Sequence, residues 1–277
     1  MKKTIISCVL FLTAVTAFSQ TPMKTAAEAK LSASDLAVKI ADRILATTTY
    51  EFKNTKTGKT YKSVKNLPLD MNVKVACKYN NWHYTNGVTH IALMELADKT
   101  GAKKYDDYVL KNMNFVFNEG NLDFFKKQYE QAMKNEGWYG VRKLSWHMIF
   151  RGKRLDDNGP MGASLIDLQI KHPNNSFLNY INETAEHLNY GEPRLADGTI
   201  ARIWPHENTI WADDAFMAIS FLARMAKMTG DMSYINDAAN QVIKYHKYLW
   251  CPEKRILYHC SVSYTHLRAH ETKANLV

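Results

Sequence analysis

Two pairs of adjacent carboxylates carry the residue types and spacing best suited to proton chemistry. One lies in Thr209-Ile-Trp-Ala-Asp-Asp-Ala-Phe-Met217, where Asp213 and Asp214 open a strongly apolar stretch. The other lies in Leu155-Asp-Asp-Asn-Gly-Pro-Met-Gly162, with Asp156 and Asp157. Unpaired backbone N–H groups and the helix dipole favour carboxylates in a first helical turn, so one such pair could do no more than cap its helix. A second pair of the same kind shifts the balance towards chemistry. The loop before the first pair, Asp197 to Asn208, adds Arg202, Trp204 and His206, groups that could face a sugar.

The elements that must position these residues read as helices. The first begins at Ser34-Asp35, stacks Leu36, Ile40 and Ile44, and fades at Thr47-Thr-Thr49. The second runs from about Trp82 to Lys99 with Val88, Ala92 and Leu96 on one stripe, and Thr100-Gly101 ends it because Gly takes the left-handed position most cheaply. Another starts at Tyr105 with Val109, Met113 and Val116 inward, and Leu122 to Lys134 continues as helix. Residues 51–70 and the Gly-rich stretch 135–160 read as loops, with helices resuming over 161–171, 177–188, 211–228 and 234–249. No segment sustains a two-residue alternation, so the expected fold class is all-α.

An internal echo refines this. Leu96-Ala-Asp-Lys-Thr-Gly101 followed by Tyr105 matches Met225-Ala-Lys-Met-Thr-Gly230 followed by Tyr234, and Leu168 to Lys171 followed by Phe177 is a looser third copy. Helical hairpins that cannot bury their faces alone must stack on one another. A closed ring of hairpins fits that pattern better than a bundle.

Asn81-Trp-His-Tyr-Thr-Asn-Gly87, the Leu155–Gly162 segment, and Asp197-Gly-Thr-Ile-Ala-Arg202 leading into Thr209–Met217 together resemble glycoside hydrolase family 105. These are the unsaturated rhamnogalacturonyl hydrolases, related to the unsaturated glucuronyl hydrolases of family 88. The resemblance runs from about residue 34 to His259 and implies an (α/α)6 barrel. It also implies an unsaturated uronyl oligosaccharide substrate made by pectin lyases, whose C4=C5 double bond is protonated and hydrated; the two-carboxylate schemes for displacement at the anomeric carbon do not apply. Such chemistry needs a carboxyl group able to hold a proton near neutral pH and take one back from water. A neighbouring carboxylate and an apolar aromatic wall both favour the protonated form. Motif matching puts the acid/base on Asp213, beside Trp211, and a second carboxylate that holds the sugar and tunes it on Asp157. Asp214 and Asp156 are the neighbours open to confusion with them, and the Trp-x-Asp spacing selects Asp213. Trp82, Tyr84, Trp204 and Trp211 are candidates to stack on sugar rings, while His83 and His206 could hydrogen-bond hydroxyls or the uronate. Arg202 could pair with the substrate carboxylate, and His147, after Trp146, could stand on a wall of the cleft. Neither cofactor nor metal is expected. Two alternatives stay open: a carbohydrate-binding protein on the same helical ring that has lost its chemistry, and another hairpin-barrel glycosidase or sugar epimerase.

The chain has 277 residues, 46% hydrophobic and 23% charged, an ordinary globular composition. Its +9 charge comes from scattered basic residues, which argues against nucleic acid as a partner. Met1-Lys-Lys, an apolar run from Ile5 to Phe18 and Ala17-Phe-Ser19 describe a cleavable signal peptide over 1–19, cut before Gln20. The run is too short to span a bilayer, so export, to the periplasm in a Gram-negative cell, is expected without stable membrane association. Cys77, Cys251 and Cys260 then remain, too sparse for a disulfide framework or a structural zinc site. Residues 20–33 read as a polar leader and 34–260 as a partial catalytic barrel. Residues 261–277, including His266 and His270, read as a non-native tail resembling translated adapter sequence. On that reading the ring is incomplete, and a poorly soluble or molten, weakly active chain is expected. Oligomeric state is left open by the sequence.

Overall fold

The computed structural model describes residues 32–152 and 154–261; the expected signal peptide, most of the leader and nearly all of the expected tail lie outside them. In chain order the elements are α1 (Ala33–Thr47), β1 (Phe52–Asn54), β2 (Thr60–Tyr61), β3 (Val73–Val75), α2 (Tyr84–Thr100), α3 (Lys104–Val116), α4 (Glu119–Val141), α5 (Met148–Arg151), α6 (Leu155–Lys171), α7 (Asn175–Glu186), α8 (Ala212–Thr229), α9 (Met232–Leu249), β4 (Trp250–Cys251) and β5 (Ile256–Leu257). A π-helical turn, His187–Gly191, extends α7. The fold class is all-α, with two small antiparallel sheets, β2-β1-β3 and β4-β5, that strands of two or three residues gave no alternation to reveal.

Three hairpins, α2–α3, α6–α7 and α8–α9, carry the architecture. Gly101 and Gly230 end α2 and α8 at φ 70° and 75°, each donating its N–H to the carbonyl four residues back, Ala97 and Ala226. Asn174 and Asp231 start the return helices α7 and α9 by accepting the N–H groups of Ser176 and Ser233. The first helices of the three hairpins lie side by side and point the same way. At their N-terminal ends, a Cβ on Gly87 of α2 would overlap the backbone of Pro160 of α6, and one on Gly159 of α6 would lie 2.8 Å from the Met217 carbonyl oxygen of α8. At their C-terminal ends, Lys171 of α6 pairs with Asp98 of α2 at 2.7 Å and with Asp106 of α3 at 3.1 Å. Helix α6 is the middle member, and its residues from Asp157 to Ile166 are all buried.

Two boundaries correct the sequence reading. Helix α6 starts at Leu155, not 161, so Gly159 and Pro160 sit inside it rather than in a loop. The close approach of α8 explains the glycine: a side chain there would hold the helices apart. Helix α4 runs on to Val141 across a break at Gly137 (φ 59°), and α5 fills part of the segment read as loop. Among the described residues no helix is long and apolar enough to cross a membrane, and Cys77 and Cys251 form no disulfide.

Candidate active site

Because the three parallel helices present their N-termini at one end, the carboxylates in the first turns of two of them, α6 and α8, come together there. Asp156 and Asp157 are the second and third residues of α6, and Asp213 and Asp214 hold the same places in α8. None caps its helix: Arg154 and Trp211 occupy the N-cap positions, and neither makes a side-chain cap bond. One oxygen from each of Asp156, Asp213 and Asp214 lies within 4.8 Å of the others. Arg202 is set among them. Its guanidinium donates to both oxygens of Asp214, at 2.6 and 2.7 Å, and to Asp213 Oδ2 at 3.2 Å, and it stands 3.8 Å from Asp156. The cluster therefore contains its own counter-charge.

Arg202 is held from two sides. Its backbone N–H donates to the Thr209 carbonyl at 2.7 Å, closing the loop that carries the exposed Trp204 and His206. Helix α9 anchors the approach to that loop, since Gln241 accepts from Ile200 N–H and Tyr245 Oη donates to the Ile200 carbonyl. Trp211 lies under the Arg202 guanidinium at 4.7 Å and meets the His259 ring edge-on at 5.1 Å.

The two aspartates of α8 differ in their surroundings. Asp214 is 2% exposed. Burial lifts its carboxyl to about 6, against the pull of Arg202, and the Asp213 charge adds to the rise. Asp213 is reached by solvent, its side chain 40% exposed. Its Oδ2 meets Arg202, while Oδ1 is shielded and accepts no hydrogen bond; His259 Nε2 stands 3.9 Å from it.

The structure revises the expected partner. Asp157 is fully buried, and both its oxygens are taken by Arg151. Desolvation raises its carboxyl above the ordinary carboxylate range against the Arg151 charge. Its carbonyl accepts the Trp82 indole N–H at 2.6 Å. Asp157 thus binds α5 and the segment leading into α2 to α6, and Asp156 is the carboxylate that joins Asp213. Trp82 is corrected likewise: at 1% exposure, wedged against Tyr180 at 4.8 Å, it has no free face for a sugar. Arg202 meets the protein's own carboxylates where a substrate carboxylate was anticipated.

Of the remaining expected residues, His83 and Tyr84 stand at the start of α2, His147 at the start of α5, and Trp204 and His206 in the loop that Arg202 closes. His83 caps α2 by accepting Thr85 N–H, and its ring lies against Tyr84 at 4.4 Å. Burial and the Arg151 charge lower the His83 pKa while the Asp156 charge opposes them. His147 is lowered too, chiefly by burial. Tyr84 is 37% and Trp204 63% exposed, both available for stacking, with the Arg154 guanidinium 5.3 Å over the Trp204 ring.

Sequence reasoning missed Glu192. The π-turn after α7 delivers it to the cluster, where burial first and the Asp214 charge second raise it to about 8. Its Oε2 lies 2.9 Å from His187 Nε2. Nothing in its neighbours, Gly191 and Pro193, signals that placement. His259 was missed as well; its carbonyl accepts Ala212 N–H at 2.7 Å, supplying a partner to the first turn of α8.

Comparison with known proteins gives a family and a fold. A possible GH105 family member from Klebsiella pneumoniae superposes with a TM-score of 0.52 at 13% identity, covering 87% of this chain and 54% of that one. A possible GH105 family member from Salmonella enterica gives 0.53 at 14% identity, covering 88% and 55%. A family 105 glycoside hydrolase of C. acetobutylicum gives 0.51 at 21% identity, covering 83% and 49%. No curated protein sequence matches. The chain spans about half the length of these solved structures, and the likeness carries the fold, an (α/α)6 barrel of helical hairpins. The model of Glycosyl Hydrolase Family 88 matches residues 56–275, across all three first-turn motifs and on into residues beyond those described. With so much of its length within that match, the chain belongs to glycosyl hydrolase family 88.

Proposed function

We propose that the chain is a glycoside hydrolase that releases 4,5-unsaturated uronic acid from the non-reducing end of oligosaccharides made by rhamnogalacturonan lyases. The observation that carries the reading is the state of Asp213: one oxygen fixed by Arg202 at 3.2 Å, the other shielded and without a donor. An oxygen with no donor is the one that can bear a proton. In the reaction Asp213 gives that proton to C4 of the alkene, and water adds its oxygen at C5 and returns a proton to Asp213. The resulting hemiketal opens by breaking the bond from C5 to the ring oxygen, which leaves a ketone at C5 and a hemiacetal at C1. Collapse of that hemiacetal to an aldehyde breaks the bond from C1 to the neighbouring sugar, which leaves as an alcohol. Asp214 does not suit this role, because Arg202 takes both its oxygens. Asp156 supports Asp213 as the like charge beside it, and Tyr84 and Trp204 offer faces to the sugar rings. The basic and apolar opening of the chain supports export of the protein.

Loss of the ultraviolet absorbance of the unsaturated uronate, during incubation with lyase-digested rhamnogalacturonan, tests the proposal. Asp213→Asn should slow that loss by about a hundred- to ten-thousand-fold while ligand still binds. A binding protein would show no absorbance change with either form. A glycosidase or epimerase of other specificity would show no preference for the unsaturated substrate. Either outcome would remove the proposal.

A further inference from the structure

A cavity lies between α4, α5, α6 and α7. It holds about 400 Å³ and is lined by none of Asp156, Asp213, Asp214 or Arg202. At its buried side is Asn158, 1% exposed. The Asn158 amide donates to the Gly152 carbonyl at 3.2 Å, while its Oδ1 is buried and accepts no hydrogen bond. A buried acceptor left unpaired costs about 1–3 kcal/mol, so this floor calls for a ligand or water that donates. The wall is aromatic: Tyr129 and Phe150 meet at 5.6 Å between ring centroids. At the mouth stand three exposed charged residues, Glu130, Glu183 and Lys126. Two carboxylates against one ammonium leave the mouth negative, which disfavours a uronate.

Hydroxyl donors for the floor and the two carboxylates, C–H faces for the aromatic wall and the absence of negative charge describe one chemical class. We propose that this cavity binds a neutral pyranose sugar. Its volume falls within the roughly 300–1,000 Å³ of small-molecule sites and far exceeds the ~30 Å³ that one water occupies. The inference is independent of the hydration chemistry assigned to Asp213, and either can fail without the other.

Isothermal titration of the full chain with methyl galactoside, rhamnose, galacturonate and a diamine decides the matter. Saturable binding of a neutral sugar is expected, with galacturonate weaker. Glu183→Gln, at an exposed position that leaves folding untouched, and Tyr129→Ala should each weaken it by about tenfold, which is 1.4 kcal/mol. Trp204→Ala, which removes an exposed ring from the loop beside the carboxylate cluster and touches nothing in this cavity, should leave it unchanged. No saturable uptake of either neutral sugar, a preference for the diamine or for galacturonate, or loss of binding in Trp204→Ala but not in Glu183→Gln, would each overturn the proposal.

Discussion

Arg202→Met puts the electrostatics of the carboxylate cluster to the hardest test. Both oxygens of Asp214 bond to Arg202, and even so burial holds that carboxyl at about 6. Removing one member of a buried ion pair strands the other, at a loss of about 3–5 kcal/mol. The stranded carboxyl can escape by taking up a proton. In the unfolded chain Asp214 ionises near its ordinary value of 3.8, and in the folded chain only around 6. A folded-state pKa raised in this way confers stability that is full below 3.8 and drains away as pH rises through 6. Without Arg202 the folded value moves higher still, and the charged form costs more. The variant should therefore melt close to the parent at pH 5 and far below it at pH 8. At about 2–4 °C per kcal/mol for a domain of 150–250 residues, the gap at pH 8 should be about 10 °C. Thermal melts followed by circular dichroism at the two pH values measure it. Equal gaps at both, or none at pH 8, would refute the view that Arg202 stabilises the buried charge of Asp214.

Other substitutions probe the packing and the less obvious acid. Gly159→Ala would set a Cβ 2.8 Å from the Met217 carbonyl oxygen; overpacking of this kind costs about 1–3 kcal/mol, which urea unfolding would register, and activity should fall further as α6 and α8 separate. Glu192 is raised from 4.5 to about 8, so the parent should lose stability as pH climbs between those values. Glu192→Gln, which cannot ionise, should flatten that slope, and an unchanged slope in urea melts would count against it. Trp82→Phe leaves the Asp157 carbonyl without its indole donor and should cost about 1–3 kcal/mol. If Trp82 is core, its activity loss should track its stability loss, and a normal melt with substrate binding abolished would restore it as a stacking residue.

The hairpins were legible because their signals are local. Thr100-Gly101 and Thr229-Gly230 stop helices through a conformation that glycine reaches cheaply, and the stop needs no knowledge of the rest of the chain. Gly159 and Pro160 misled for the complementary reason: they look like helix breakers locally, and only the nearness of α8 explains the glycine. The site followed the same division. Two first-turn Asp pairs pointed to one end of the fold, where three of the four carboxylates do meet, but choosing between Asp156 and Asp157 depends on which way α6 turns once Arg151 grips one of them. Trp82 carries the same residue type as Trp204, and burial separates their roles. Glu192 needed the extra residue of a π-turn to arrive at the cluster, a local geometry with no pattern in the sequence.

The glycines at the α2–α6 and α6–α8 seams bear on how such a site could be tuned. They make the reach between Asp156 and Asp213 a direct reading of how closely two rods lie, with no flexible loop to absorb a change. A bulkier residue deep in a seam would move an acid and its neighbour apart without touching any ligand. The geometry of the carboxylate cluster is therefore geared to helix spacing, and its adjustment can come from positions a substrate never meets.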